Sequence, residues 1–275
     1  MKQSNPTDKQ TEEKLLLHLL GISKEELFLN KNKTRPNLIQ KAKFNFGQMM
    51  LAKGYPLQYL THQADFFGYK FFVNKNVLIP RPETELLVEW AGKKIGQLIK
   101  TLNGEINIID VGTGSGCIII SLCRFCKENL APSDLAKLNF FAVDISPRAL
   151  RLARRNAHQN NCPEIKFFPS NLFSKTNSPL KFDLIMANLP YLTEDYIKDN
   201  ENLRFEPKLA LRGGEKGFDI LARFLDNLPD RLSQKGAAII EIDPSQTKLV
   251  QNQACHVSTK IIQDLNGFDR FVTFN

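Results

Sequence analysis

The sequence predicts an α/β fold: a mostly parallel, doubly wound seven-stranded sheet, preceded by an N-terminal helical bundle and a β-hairpin linker. Three observations carry this prediction. From Glu105 onward, apolar runs alternate with helical segments, the pattern of a parallel sheet covered on both faces. The first of these runs leads into a glycine-rich turn and then a helix, the arrangement in which open α/β sheets place a ligand. Residues 11 to 62, by contrast, show helical periodicity and no strand pattern.

Leu15, Leu16, Leu19 and Leu20 share one helical face, and Gly21 stops that helix. Ser23 with Glu26 forms a capping-box pattern that opens a second helix. A third runs from about Pro36 to Ala52 and ends near Gly54. Short amphipathic helices of this kind make a docking module or a lid. The aromatic stretch Ala64 to Val73, with Gly68 at its centre, reads as a hairpin. The stiff segment Leu78 to Glu85 follows, then a helix from about Glu83 to Leu102. Strands are expected at Ile106–Val111, Phe140–Asp144, Ile165–Phe168, Phe182–Ala187 and Ala237–Ile242, with two more near Val257–Asp264 and Phe271–Phe274. The domains are therefore 1–62 (helical docking), 63–80 (linker) and 81–275 (the α/β unit).

Over 275 residues, 42% hydrophobic and 24% charged content is that of an ordinary globular protein. No window approaches the ~18 apolar residues of a membrane span. The polar N-terminus reads as neither a signal nor a transit peptide. Cysteines stand at 117, 123, 126, 162 and 255. The Cys123/Cys126 pair lies in a helical pattern with no second pair to complete a metal site, so its role is structural and no metal is expected. Scattered thiols fit a reducing cytoplasm. The formal charge of +8 favours an anionic partner surface. Arg148, Arg151, Arg154 and Arg155 cluster as a solvated helix face.

Gly112-Thr113-Gly114-Ser115-Gly116 has the spacing GxGxG rather than the dinucleotide GxGxxG. That disfavours a pyrophosphate cradle and favours a nucleoside with an uncharged or zwitterionic tail, such as S-adenosylmethionine. The next strand ends in Asp144, whose carboxylate can accept both ribose hydroxyls. Asn188-Leu189-Pro190-Tyr191 closes the apolar run Phe182 to Ala187. It suits the methylation of a planar NH2 group, in an amide or on a nucleobase. Such a nitrogen gives its lone pair to the neighbouring π-system and is a poor nucleophile. The Asn188 carbonyl and a nearby backbone carbonyl can accept its two N–H groups, and Tyr191 offers a face for stacking. Glu83 and Thr84 either line the methionine end of the cofactor or cap the helix they open.

With these residues in place, the chain resembles the class I S-adenosylmethionine-dependent methyltransferases, whose catalytic domain is Rossmann-like. More closely, it resembles the HemK/PrmC family of protein-(glutamine-N5) methyltransferases that modify peptide-chain release factors. The motifs span most of the chain: Pro56 to Leu60, the distinctive block Val77 to Glu85, Asp110 to Gly116, Ala142 to Pro147, and Phe205 to Leu211 followed by Gly213-Gly214. The resemblance implies methylation of the glutamine in the Gly-Gly-Gln loop of release factors. By it, Gly112, Thr113, Gly114, Ser115, Gly116 and Asp144 bind the cofactor and Leu172 lies beside the adenine. Asn188 to Tyr191 take the glutamine, Asn188 also touching the cofactor. A cytoplasmic monomer with a protein partner, no obligatory nucleic acid and no membrane association is expected.

Three departures stand out. Leu189 replaces the first proline of the usual Asn-Pro-Pro-Tyr, giving a tetrapeptide similar to that of ribosomal-RNA adenine dimethyltransferases. Asn171 stands where an aspartate is common. The segment Cys117 to Asn139 is longer than usual.

Overall fold

The computed structural model describes residues 8–29, 35–174, 180–254 and 257–275, so Cys255 lies outside the described residues. Helices α1 (Lys9–Leu20), α2 (Lys24–Leu29), α3 (Leu38–Ala52) and α4 (Leu57–Thr61) come first. Their ends follow local chemistry. Gly21 closes α1 in the left-handed region, φ 69°. The Ser23 and Glu26 side chains each accept the other's backbone N–H, a reciprocal capping box before α2. Asn37 and Gln40 do the same for α3.

The hairpin is β1 (Gln63–Phe66) against β2 (Tyr69–Phe72), turning at Phe67-Gly68 with positive φ at both positions. A 3-10 turn at Pro82–Thr84 leads into α5 (Glu85–Thr101). The sheet then follows: β3 (Ile106–Val111), α6 (Cys117–Asn129), α7 (Pro132–Leu135), β4 (Leu138–Asp144), α8 (Pro147–Gln159), β5 (Lys166–Pro169) and β6 (Phe182–Asn188). It is completed by α9 (Glu194–Asp199), α10 (Asp219–Arg231), β7 (Leu232–Glu241), α11 (Thr247–Gln253), β8 (Thr259–Gln263) and β9 (Asp269–Phe274). Strand order is β5-β4-β3-β6-β7-β9-β8, with β9 the one antiparallel insertion. The order reverses between β3 and β6, which opens a crevice at their carboxyl ends. The segment from Cys117 to Asn139 holds α6, the single turn α7 and the start of β4.

One core lies between the sheet, the hairpin and helices α5, α6 and α8. A second lies between the sheet's other face and α10 and α11. A third, smaller cluster joins Tyr59 of α4 to Val73, Val77 and Ile79, and to Ala149 and Leu152 of α8. The hairpin is held by Asn156, a fully buried residue of α8. Its Oδ1 accepts the Phe72 N–H at 2.7 Å, while Nδ2 donates to Phe72 O at 3.0 Å and to Ser115 O at 2.9 Å. One side-chain amide thus pairs with β2 as a neighbouring strand would, and with the glycine loop as well. Next to it in sequence, Arg155 stacks its guanidinium over Phe72, 3.4 Å from the ring centroid.

Asn156→Ala leaves the Phe72 and Ser115 backbone groups without these partners. It is expected to cost about 2–4 kcal/mol. Urea denaturation followed by circular dichroism measures it, and a loss below about 0.5 kcal/mol contradicts this account.

Candidate active site

The crevice holds a cleft of about 510 Å³. Gly112 to Ser115, Asp144, Leu172, Asn188 and Leu189 line it together with Val77, Leu78, Pro80, Arg81, Thr84 and Pro207 to Ala210. The cleft therefore brings together Gly112 to Ser115, Asp144, Leu172 and Asn188 to Pro190, whereas Gly116 and Tyr191 are not among its lining residues. Gly112, Gly114 and Gly116 all adopt positive φ. At Gly112 (φ 78°) a Cβ would also stand 2.9 Å from Leu189 Cδ2, so the loop closes directly over that side chain. Leu189 is 4% exposed and packs with the core. Its side chain props the glycine loop from below.

Asp144 accepts the Gly114 N–H on Oδ2 at 2.9 Å and the Ser146 N–H on Oδ1 at 2.8 Å. Burial lifts its pKa, and these two amides oppose the rise. Each oxygen keeps a second lone pair for a ligand hydroxyl. Asp110, near the end of β3, is fully buried and is not among the residues lining the cleft. Its Oδ2 accepts the Thr113 hydroxyl at 2.6 Å, while Oδ1 has no hydrogen-bond partner among the described residues. Burial pushes its pKa up to about 7, with Thr113 pulling the other way. Asn171 lines the cleft at the position where an acid is common. Leu172 sits in the left-handed region, φ 53°, strain of about 1–3 kcal/mol for a bulky side chain.

At the other end of the cleft, Asn188 Nδ2 donates to Glu241 Oε2 at 2.8 Å and to Thr84 Oγ1 at 3.2 Å. Thr84 Oγ1 donates to Glu241 Oε2 at 2.6 Å, and the Tyr191 hydroxyl donates to Oε1 at 3.1 Å. Glu241 is 1% exposed, and burial pushes its pKa up to about 7. Burial and the nearby Glu241 charge raise the Tyr191 pKa well above the usual phenol range. Of the two residues expected either to line the cofactor or to cap the helix, Thr84 lines the cleft and makes no side-chain cap, while Glu83 is not among the lining residues. Glu241 was missed in the sequence. The only signal is an acid ending the otherwise apolar run Ala237 to Ile242, and it gains meaning through the register that pairs Asn188 with Glu241.

The two most distinctive sequence blocks meet at Glu206, a buried carboxylate that accepts the Ile79 N–H at 3.1 Å and pairs with Arg81. Beyond it, Leu192 exchanges backbone bonds with Leu211 and Gly213, 2.9 Å each. A Cβ on Gly213 would stand 2.7 Å from Tyr191 Cα, so the glycine lets this loop lie flat on the tetrapeptide. Tyr55 packs edge-on against Phe205, and the Tyr59 hydroxyl donates to Val77 O at 2.7 Å. These contacts tie the linker motif to the same wall.

Outside the cleft, Cys123, Cys162 and Glu164 bring ligand atoms within 4.8 Å of one another. The Lys127 ammonium lies 2.6 Å from the Glu164 carboxylate, which is already paired. Cys126, the other half of the sequence pair, is buried in α6 and not part of that group.

Residues 102–263 match the family described as a methyltransferase domain. The release factor glutamine methyltransferase of Bacillus cereus is 32% identical over 281 residues, covering 98% of this chain and 93% of its own length. That of Leptospira interrogans is 36% identical over 280 residues, covering 98% and 92%. Among solved structures, a methyltransferase from Pyrococcus furiosus aligns with a TM-score of 0.51 at 16% identity, over 86% of this chain and 97% of its own. A 16S rRNA N2 methyltransferase of T. thermophilus, solved with AdoMet and guanosine, gives 0.53 at 16% identity, over 78% and 49%. These two likenesses support the Rossmann-like fold of class I methyltransferases.

Asp110 has a clear stability consequence. Its folded pKa, about 7, lies above its ordinary value of 3.8. The folded state therefore holds a proton that the unfolded chain releases, and stability falls as pH rises from about 4 through 7. Relative to the unmodified chain, Asp110→Asn should gain stability between pH 4 and pH 8, by roughly 2–4 kcal/mol. Urea titrations at the two pH values measure the difference; a pH-independent difference contradicts it.

Proposed function

The chain belongs to the release factor glutamine methyltransferase family, and on that premise we propose that its cleft binds S-adenosylmethionine beside the glutamine of a release factor's Gly-Gly-Gln loop. The enzyme methylates the side-chain amide of that glutamine. The orientation of Asn188 is the observation that carries the assignment of the amide site. An ionised carboxylate only accepts, so the nitrogen of the Asn188 carboxamide faces Glu241 and its oxygen is left to face the cleft. That oxygen and the backbone carbonyl of Leu189 then accept the two N–H groups of the substrate amide. They hold its nitrogen in line with the methyl group and favour the positive charge that builds on it. Tyr191 gives the planar amide a stacking face.

The residues around the glycine loop fit S-adenosylmethionine. The loop takes positive φ at 112, 114 and 116, and Gly112 and Gly114 line the cleft with backbone alone. Asp144 suits the ribose hydroxyls and Leu172 the adenine face. When bound, the cofactor supplies a methyl group already activated by its sulfonium. The protein's work is therefore positioning and charge stabilisation.

Residues 1–62 serve as the docking unit for the release factor, 63–80 as the linker and 81–275 as the catalytic domain. Leu189, which invites comparison with RNA adenine methylation, lines the cleft but is only 4% exposed and packs with the core. Among the described residues no helix is long and apolar enough to cross a membrane.

Mass spectrometry of a purified release factor and of bulk RNA, after incubation with this protein and labelled cofactor, tests the reading. The label is expected on the glutamine amide; label on RNA adenine alone overturns it. Asn188→Ala should lower kcat by about 100- to 1,000-fold while the release factor still binds.

The docking role has its own test. Removal of residues 1–53 spares Tyr55 and Tyr59, which support the cofactor wall. It should leave cofactor affinity within about twofold by calorimetry, yet lower kcat/KM for intact release factor by on the order of 100-fold. Full activity of the truncated chain refutes docking by this region.

A further inference from the structure

We propose that Glu241 is a positioning residue for this methyl transfer, holding Asn188 in the single orientation that presents its oxygen to the reacting nitrogen. The proposal rests on the amide-binding role of Asn188 and adds a residue that no motif of the chain assigns.

Glu241 ends β7, in register with Asn188 at the end of β6. Three donors from three separate segments converge on its two oxygens: Thr84 from the turn before α5, Asn188 from β6 and Tyr191 from the loop beyond it. All three are neutral. The nearest influential cation, Arg270 on β9, favours the ionised form of Glu241 but makes its ion pair with Asp264 at 3.2 Å. A carboxyl buried on these terms costs stability. A merely structural hub in that place would be met as well by a neutral amide.

The charge does two things that an amide cannot. It accepts only, so the Asn188 nitrogen must face it and the flipped carboxamide is excluded. It also sets a negative potential behind Asn188, which strengthens the Asn188 oxygen as an acceptor while the substrate nitrogen becomes positive. A protonated Glu241 would offer an O–H donor, relax the exclusion of the flip and lose that potential.

Groups facing Glu241 from every side bear on its titration. Burial and Glu83 raise its pKa; Thr84, Tyr191 and Arg270 lower it, leaving it at about 7. Cys117, which also feels Glu241, is pushed up to about 12 and stays neutral. As pH falls through about 7, Glu241 takes up a proton and kcat should fall with it. Asp110 lies in the same range, so the acid limb is assigned by substitution.

The experiment uses the full chain, a purified release factor and saturating S-adenosylmethionine, with kcat and KM measured from pH 5.5 to 9. For Glu241→Gln, kcat at pH 8 should fall about 10- to 100-fold, the scale of losing part of one preorganised electrostatic partner. KM for the release factor should change less than about threefold, which is what loss of an interaction made only in the transition state predicts. The acid limb should vanish in Glu241→Gln and persist in Asp110→Asn.

Thr84→Val offers a second route if Glu241→Gln fails to fold. Removing a donor to the ionised form raises the Glu241 pKa, so the limb should move to higher pH by about one unit. An unchanged kcat with the limb intact in Glu241→Gln, or a limb unmoved in Thr84→Val, overturns the role of Glu241. Failure of the unmodified chain to label the glutamine amide at all would instead strike the functional reading itself.

Discussion

The register between two neighbouring parallel strands is the constraint on which the site depends. With Asn188 opposite Glu241, the amide and the carboxylate emerge at the same edge of the sheet, within hydrogen-bond reach. The strands beneath them are almost wholly buried. A slip of one residue would turn their apolar side chains to the wrong faces. The core thus fixes, through register alone, the placement of two polar groups that contribute nothing to it. A site built at strand ends in this way is held more rigidly than one built on loops.

Above that edge, the loops are held by a chain of close contacts rather than by one element. Glu206 joins the proline-rich stretch before α5 to the segment that precedes α10, although the two lie 127 residues apart in sequence. The Gly213 loop then presses on Tyr191, and Leu192 is laced to it by backbone bonds. The two blocks most distinctive of the family therefore act chiefly as a wall that gives the tetrapeptide its shape. Buried carboxylates at 110, 206 and 241 are each anchored by backbone amides, hydroxyls or a guanidinium, as low-dielectric surroundings require.

Much of this was legible in the sequence, because period and punctuation are local. The strands at Ile106 and Phe182 announce themselves as apolar runs, whereas β7 does so only from Ala237, because its start at Leu232 runs into the polar stretch Ser233 to Lys235. The caps at Ser23 and Gly21 are spelled out within four residues. The glycine loop, Asp144 and Asn188 were legible as a set because each ends a strand of predictable direction. Glu241 was not, since its meaning depends on a partner 53 residues away and on a register that no short window contains. Asn156 was hidden for the same reason: it looks like any polar residue of a helix until β2 is found beside it. The positive φ at Leu172 was also unreadable, because nothing in a leucine advertises a conformation imposed by its surroundings.

The packing of Leu189 beneath Gly112 sets a rule for how these two positions can change. A proline would stiffen the tetrapeptide through its own ring; here the same segment is steadied by a side chain wedged under the neighbouring loop. Leucine at 189 occupies the space into which any Cβ at 112 would project. Position 112 is therefore constrained twice: its positive φ strains any side chain whatever the space, and with leucine at 189 a Cβ would also meet Cδ2 at 2.9 Å. The second of these constraints is a contact between the glycine loop and the loop at Asn188 that neither position reveals on its own.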